Sequence, residues 1–146
     1  MTAKARVRTF TSIDDLRSHV GSTLGVGEWV TVTRAQVTAY TRSLGEGLRP
    51  RDGGDEVPEY LIVSLLPMLT SGIYAVDGVS MVVNYGLDAV RFPARVAVGA
   101  RIRATSHLVA VSDKRSGVQL VVRHVVEVEN GADPVCVADA LRVLVP

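Results

Sequence analysis

Few residues in this chain have the types and spacing that chemistry needs. The histidines are His19, His107 and His124, far apart in sequence, and the single cysteine is Cys136. No group of them has metal-ligand spacing, and no glycine-rich phosphate loop is present, so no metal and no cofactor is implied. His124 falls on the apolar side of an alternating segment and reads as a satisfied core histidine. His19 and His107 read as surface residues. Cys136 lies in the apolar run 134–140 and reads as a buried, inert thiol; a lone cysteine forms no intrachain disulfide. The remaining polar chemistry gathers in one place. The segment 45–57 holds Glu46, Arg51, Asp52 and Asp55 among five glycines and prolines, with almost nothing to bury, and reads as a loop.

The elements around that loop follow from periodicity and capping. Ser12 precedes Asp14 and Asp15, a cap with acids in the first turn, predicting a short helix to about residue 20. Gly21, Gly25 and Gly27 interrupt regular structure beyond it, and residues 29–32 read as a short extended segment. Thr33 and Gln36 have the spacing of a capping box, which opens a helix to about residue 44. Beyond the loop, Pro58 suits the first turn of a second helix over 58–74, apolar on nearly every side and therefore expected inside the protein.

The second half alternates. Residues 81–85 are strand-like up to Gly86. In 101–111, Ile102, Ala104, Ser106 and Leu108 share one face. In 119–129, Leu120, Val122, Val126 and Val128 do the same. Residues 114–117 and 130–133 are turns, and 135–145 is the last strand. Long antiparallel strands with one apolar face, beside one wholly apolar helix, predict a single α+β domain over 1–146, its curved antiparallel sheet wrapped round a central helix.

Bulk properties narrow the function classes. Sixteen basic residues against fifteen acidic ones leave a net charge of +1, giving no general pull towards nucleic acid or anionic membrane. With 47% hydrophobic and 21% charged residues the chain is ordinary for a folded domain. No signal-peptide pattern opens it, and its longest apolar stretch is too short to span a bilayer, so a cytoplasmic location is expected.

Three segments carry a resemblance to a known family. Residues 10–32, with Asp14-Asp15-Leu16, Val20-Gly21, Leu24-Gly25 and Glu28-Trp29, resemble the N-terminal stretch of MaoC-like (R)-specific enoyl-CoA hydratases. Leu61-Ile62-Val63-Ser64-Leu65-Leu66-Pro67 resembles their central helix. Asn84-Tyr85-Gly86-Leu87-Asp88 with Arg91-Phe92-Pro93 resembles their signature before the long strands and is the most specific part. The resemblance implies a hotdog fold, a homodimer with edge-to-edge sheets, and an acyl thioester of coenzyme A or a carrier protein lying beside the central helix. It also implies an Asp and a His on the preceding loop to activate water, and a glycine amide at the helix start as oxyanion donor.

The chain departs from that pattern at each catalytic place. Leu44-Gly45-Glu46 stands where the family has Thr-Gly-Asp, Arg51 falls where its His is expected, and Pro58-Glu59 replaces its His-Gly pair. No histidine lies between His19 and His107, whatever the register. Glu46 is the candidate general base, against a solvated loop carboxylate. Arg51 stays protonated and cannot be a base, but can clamp a carboxylate, enolate or phosphate, against an exposed loop arginine. Substrate contact is expected from Tyr40, Tyr60, Ser64, Asn84, Tyr85 and Arg91. For Tyr60 the alternative is packing, for Asn84 a strand-end cap, and for Arg91 a surface ion pair. Three readings stay open: an altered-site hotdog enzyme working on an acyl-thioester or polyketide-like intermediate by cyclisation, isomerisation or dehydration; a non-catalytic acyl-binding subunit; and a hydratase with a rebuilt dyad.

Overall fold

The computed structural model describes residues 6–45 and 54–146. Glu46, Arg51 and Asp52 lie outside the described residues. In order, the chain forms β1 (Arg8–Phe10), α1 (Ile13–Arg17), β2 (Thr23–Val26), β3 (Val30–Thr31), α2 (Arg34–Ser43), α3 (Glu59–Thr70), β4 (Tyr74–Val76), β5 (Met81–Arg91), β6 (Arg101–Lys114), β7 (Gly117–Val128) and β8 (Cys136–Val145).

The caps act as their sequences require. The Ser12 hydroxyl accepts from the Asp15 N–H at 3.0 Å, and Thr33 and Gln36 form the reciprocal capping box at the start of α2. The first helix is shorter than expected, ending at Arg17. Two tight turns come next, with the His19 and Val20 N–H groups donating to the Leu16 and Arg17 carbonyls.

β2, β6, β7, β8 and β5 form one antiparallel sheet in that order, with β3 also pairing to β6. Its inner face carries Ile102, Ala104, Ser106 and Leu108 of β6 and Leu120, Val122, His124 and Val126 of β7, all buried. Register sets Ser106 opposite His124, Leu108 opposite Val122 and Leu120 opposite Arg142. The hairpin between β6 and β7 closes at Gly117, whose φ of 143° and close approach to the Leu144 carbonyl leave no room for a side chain.

The central helix corrects two expectations. It ends at Thr70 rather than continuing through residue 74, because Tyr74 passes into β4, which pairs in parallel with β1; that small sheet has no alternation long enough to reveal it. Nor is the helix enclosed all round. Leu61, Ile62, Leu66, Leu69 and Thr70 are buried against the sheet, whereas Tyr60, Ser64, Pro67 and Met68 are exposed on the isolated chain. A third correction concerns β5, which does not end at Gly86 but runs on to Arg91, absorbing register shifts near Gly86 and Ala89. The sheet curving over α3 is nonetheless the expected hotdog architecture. Among the described residues no helix is long and apolar enough to cross a membrane.

Candidate functional site

A cavity of about 230 Å³ lies between α3 and the β5–β8 side of the sheet. Val63, Leu66 and Pro67 form its helix wall; Asn84, Tyr85, Gly86 and Leu87 come from β5, Ala140, Leu141 and Arg142 from β8, and His124 from β7. The apolar wall follows from the side of α3 that meets the sheet. The polar wall follows from strand alternation: Cys136, Ala138, Ala140, Arg142 and Leu144 occupy one register of β8, and the fourth member is a cation.

Two groups in that wall are electrostatically unusual. His124 is 1% exposed. Its Nδ1 lies 2.8 Å from the Ser106 hydroxyl, while its Nε2 is buried with no hydrogen-bond partner among the described residues. Burial, then the charge of Arg142, pushes its pKa down to about 4, so the imidazole is neutral at neutral pH. The reading of His124 as a satisfied core histidine is thus corrected: one ring nitrogen is satisfied and the other is not. The second group is Arg142. Its guanidinium donates to the Thr70 hydroxyl at 3.1 Å and to the Tyr74 hydroxyl at 3.5 Å. Its Nε is buried and unpartnered among the described residues, and no carboxylate among them forms an ion pair with it. Thr70 ends α3, so the cation rests at the negative end of that helix, a favourable place for it.

The expected substrate contacts divide into two groups. Asn84 and Tyr85 border the cavity, and Asn84 sits mid-strand opposite Arg142 rather than capping a strand end. Tyr40, Tyr60, Ser64 and Arg91 do not border it. Tyr40 is half-buried on α2 against the core. Tyr60 is 71% exposed and meets the Phe92 ring edge-on, with centroids 6.1 Å apart. The Ser64 hydroxyl donates back to the Tyr60 carbonyl at 2.8 Å, and Arg91 is exposed at the end of β5.

The far end of the loop is held down. Arg34 donates to the Gly54 carbonyl and to the Asp55 carboxylate at 2.7 Å, Glu56 pairs with Arg95, and Val57 is buried. Glu59 is the exposed first residue of α3, and no side chain caps that helix end.

Elsewhere the surface is built for stability rather than chemistry. On the outer face Arg103 pairs with Glu127, Arg101 with Glu129 and Arg123 with Asp139. Arg101 and Arg103 also stack over Trp29. Cys136 is fully buried, and burial raises its thiol to about 11, which removes thiolate reactivity. Among the described residues no cluster of His, Cys, Asp or Glu can hold a metal ion. Sequence reasoning passed over Arg142 altogether. The signal was present, because an arginine breaks the apolar register of an otherwise inward-facing strand.

Comparison with known proteins bears on the family and the fold. The chain is 40% identical to the 3-hydroxyacyl-thioester dehydratase Z of Mycobacterium tuberculosis, over 92% of this chain and 97% of that protein. Among solved structures, a monoamine oxidase regulatory protein from Archaeoglobus superposes with a TM-score of 0.70 at 17% identity, covering 96% of this chain and 98% of the other. A MaoC-like dehydratase from Rhodospirillum rubrum superposes with a TM-score of 0.66 at 12% identity, covering 87% and 93%. No family model matches the chain.

Proposed function

The chain belongs to the MaoC-like family of hotdog dehydratases and hydratases, and on that premise we propose that it is an enzyme acting on acyl thioesters with an altered active site. The observation that carries this reading is the cavity beside α3, apolar along the helix wall and polar at His124, Arg142 and Asn84. A subunit with a purely structural role gains nothing from leaving the buried His124 Nε2 and Arg142 Nε without partners among the described residues, since an unpaired buried polar group costs about 1–3 kcal/mol. An enzyme that orients a reactive chain does gain from them.

In this reading the acyl chain enters the cavity along Val63, Leu66 and Leu87, and the pantetheine arm of coenzyme A or a carrier protein lies outside. Loss or gain of water is the reaction class that the relatives favour; cyclisation or isomerisation of a polyketide-like chain uses the same cavity. Glu46 and Arg51, from the loop that joins α2 to α3, serve as base and anion clamp. The working unit is a homodimer joined through β5, which exposes Met81, Val82 and Val83 and whose outer edge pairs with no other strand among the described residues.

Blocking the cavity tests the reading. Val63→Phe adds a ring to the helix wall, and it is expected to weaken binding of a hexanoyl thioester at least about ten-fold while leaving the melting temperature nearly unchanged. Undiminished binding in that variant would place the acyl chain elsewhere.

A further inference from the structure

The polar wall of the cavity selects among acyl chains. A saturated alkyl chain packed against it would leave the buried Nε2 of His124 and Nε of Arg142 unsatisfied, and would keep from water two groups that no other described residue serves. Arg142 Nε–H is a donor in every protonation state of the protein. The His124 ring is neutral, and when its Nδ1 accepts from the Ser106 hydroxyl, 2.8 Å away, its Nε2 carries the proton and donates as well. Asn84 adds an amide directly opposite Arg142 across the β5–β8 pair. The wall is therefore rich in donors, carries one positive charge, and has no carboxylate among the cavity residues to pair with it.

Resting on the reading of the protein as a thioester enzyme, we propose that this wall is a subsite for a second oxygen function, so that the substrates are oxo-acyl thioesters rather than plain alkyl ones. The ketone oxygen accepts from Arg142 and from His124 or Asn84, and any enolate formed from that ketone is stabilised by the guanidinium. A donor pair aimed at a carbonyl also fixes the conformation of the chain, which is what a reaction between two parts of one substrate requires.

The test uses pantetheine thioesters, the portion that coenzyme A and carrier proteins share. Hexanoyl-pantetheine is compared by calorimetry with two oxo derivatives, the ketone lying near the thioester in one and near the chain end in the other. At least one oxo derivative is expected to bind the wild-type protein about ten-fold more tightly than the alkyl chain, a difference worth about 1.4 kcal/mol. Arg142→Met is expected to abolish that preference, and His124→Phe to reduce it. The wild-type comparison needs no variant, so misfolding of a variant cannot hide the result. Equal binding of all three ligands would overturn the subsite while leaving the thioester reading intact. A preference that survives in both folded variants would overturn the assignment to these residues. Binding of none of the three would overturn the thioester reading itself, and the subsite with it.

Discussion

The Ser106 hydroxyl and the His124 ring face each other across β6 and β7, Oγ to Nδ1 at 2.8 Å, on the buried inner face of the sheet. Both residues are almost fully buried, so each depends on the other for this hydrogen bond. Burial disfavours the charged imidazole most, Arg142 adds a repulsive cation, and the attraction of Asp139 offsets this only in part.

That environment makes stability fall in mild acid. The His124 pKa is depressed from 6.5 to about 4 in the folded protein. Between these values the unfolded chain binds a proton that the folded chain refuses, so stability is complete above 6.5 and is lost as pH falls towards 4. The contribution approaches about 3 kcal/mol at the acid end. Urea unfolding at a series of pH values checks this. Wild type is expected to show the acid loss and His124→Phe to show much less of it; identical pH slopes would remove His124 as the cause.

Close approach of the β2–β3 connection to the end of α3 makes a second expectation. A Cβ at Gly27 would stand 2.5 Å from the Leu69 carbonyl oxygen, a backbone atom that cannot swing aside, whereas one at Gly72 would meet nothing within 4 Å. Gly27→Ala is expected to cost about 1–3 kcal/mol, and Gly72→Ala to lie within about 0.5 kcal/mol of wild type. Thermal melts of the two variants side by side decide it. Equal melting temperatures would mean that the connection shifts freely.

The edge strand β5 gives a third. Tyr85 is 67% exposed and Met81 55%, on a strand whose outer edge pairs with no other strand among the described residues. Apolar edges of this kind pair with another copy. Sedimentation is expected to give a dimer at micromolar concentration, and the double variant Met81→Lys with Val83→Lys a monomer. A wild-type monomer would contradict the shared-sheet arrangement.

How much of this was legible in the sequence depended on local signals. The capping box at Thr33 and Gln36 and the alternation in β6 and β7 predicted their elements closely, because each is a short-range pattern with a single structural outcome. The helix α3 was legible as apolar, but not that Tyr60, Ser64, Pro67 and Met68 would be left exposed, since which side meets the sheet is a tertiary fact. The parallel pairing of Arg8–Phe10 with Tyr74–Val76 joins segments far apart in sequence and gives three residues no periodicity to show. Asn84 and Tyr85, which border the cavity, were singled out in the sequence through their resemblance to a family signature. His124 was noticed and assigned to the core, because alternation reports which face a side chain takes and not whether both ring nitrogens find partners. Arg142 became significant only when the register placed it opposite Asn84 on one side and Leu120 on the other.

The most direct test of an altered active site is hydration of crotonyl-CoA, followed by loss of the conjugated absorbance beside a hydratase of the family that carries the loop histidine. The chain has no histidine between His19 and His107, and general acid–base catalysis contributes roughly a hundred- to ten-thousand-fold. Glu59 falls where the resemblance expects the oxyanion glycine; a loss there acts on the same transition state, so the two effects are not multiplied. A rate at least about a hundred-fold below the relative is expected, and Glu46→Gln is expected to lower that residual rate further. A rate matching the relative and abolished by Glu46→Gln would contradict the altered-site account and establish a water-activating pair rebuilt around Glu46.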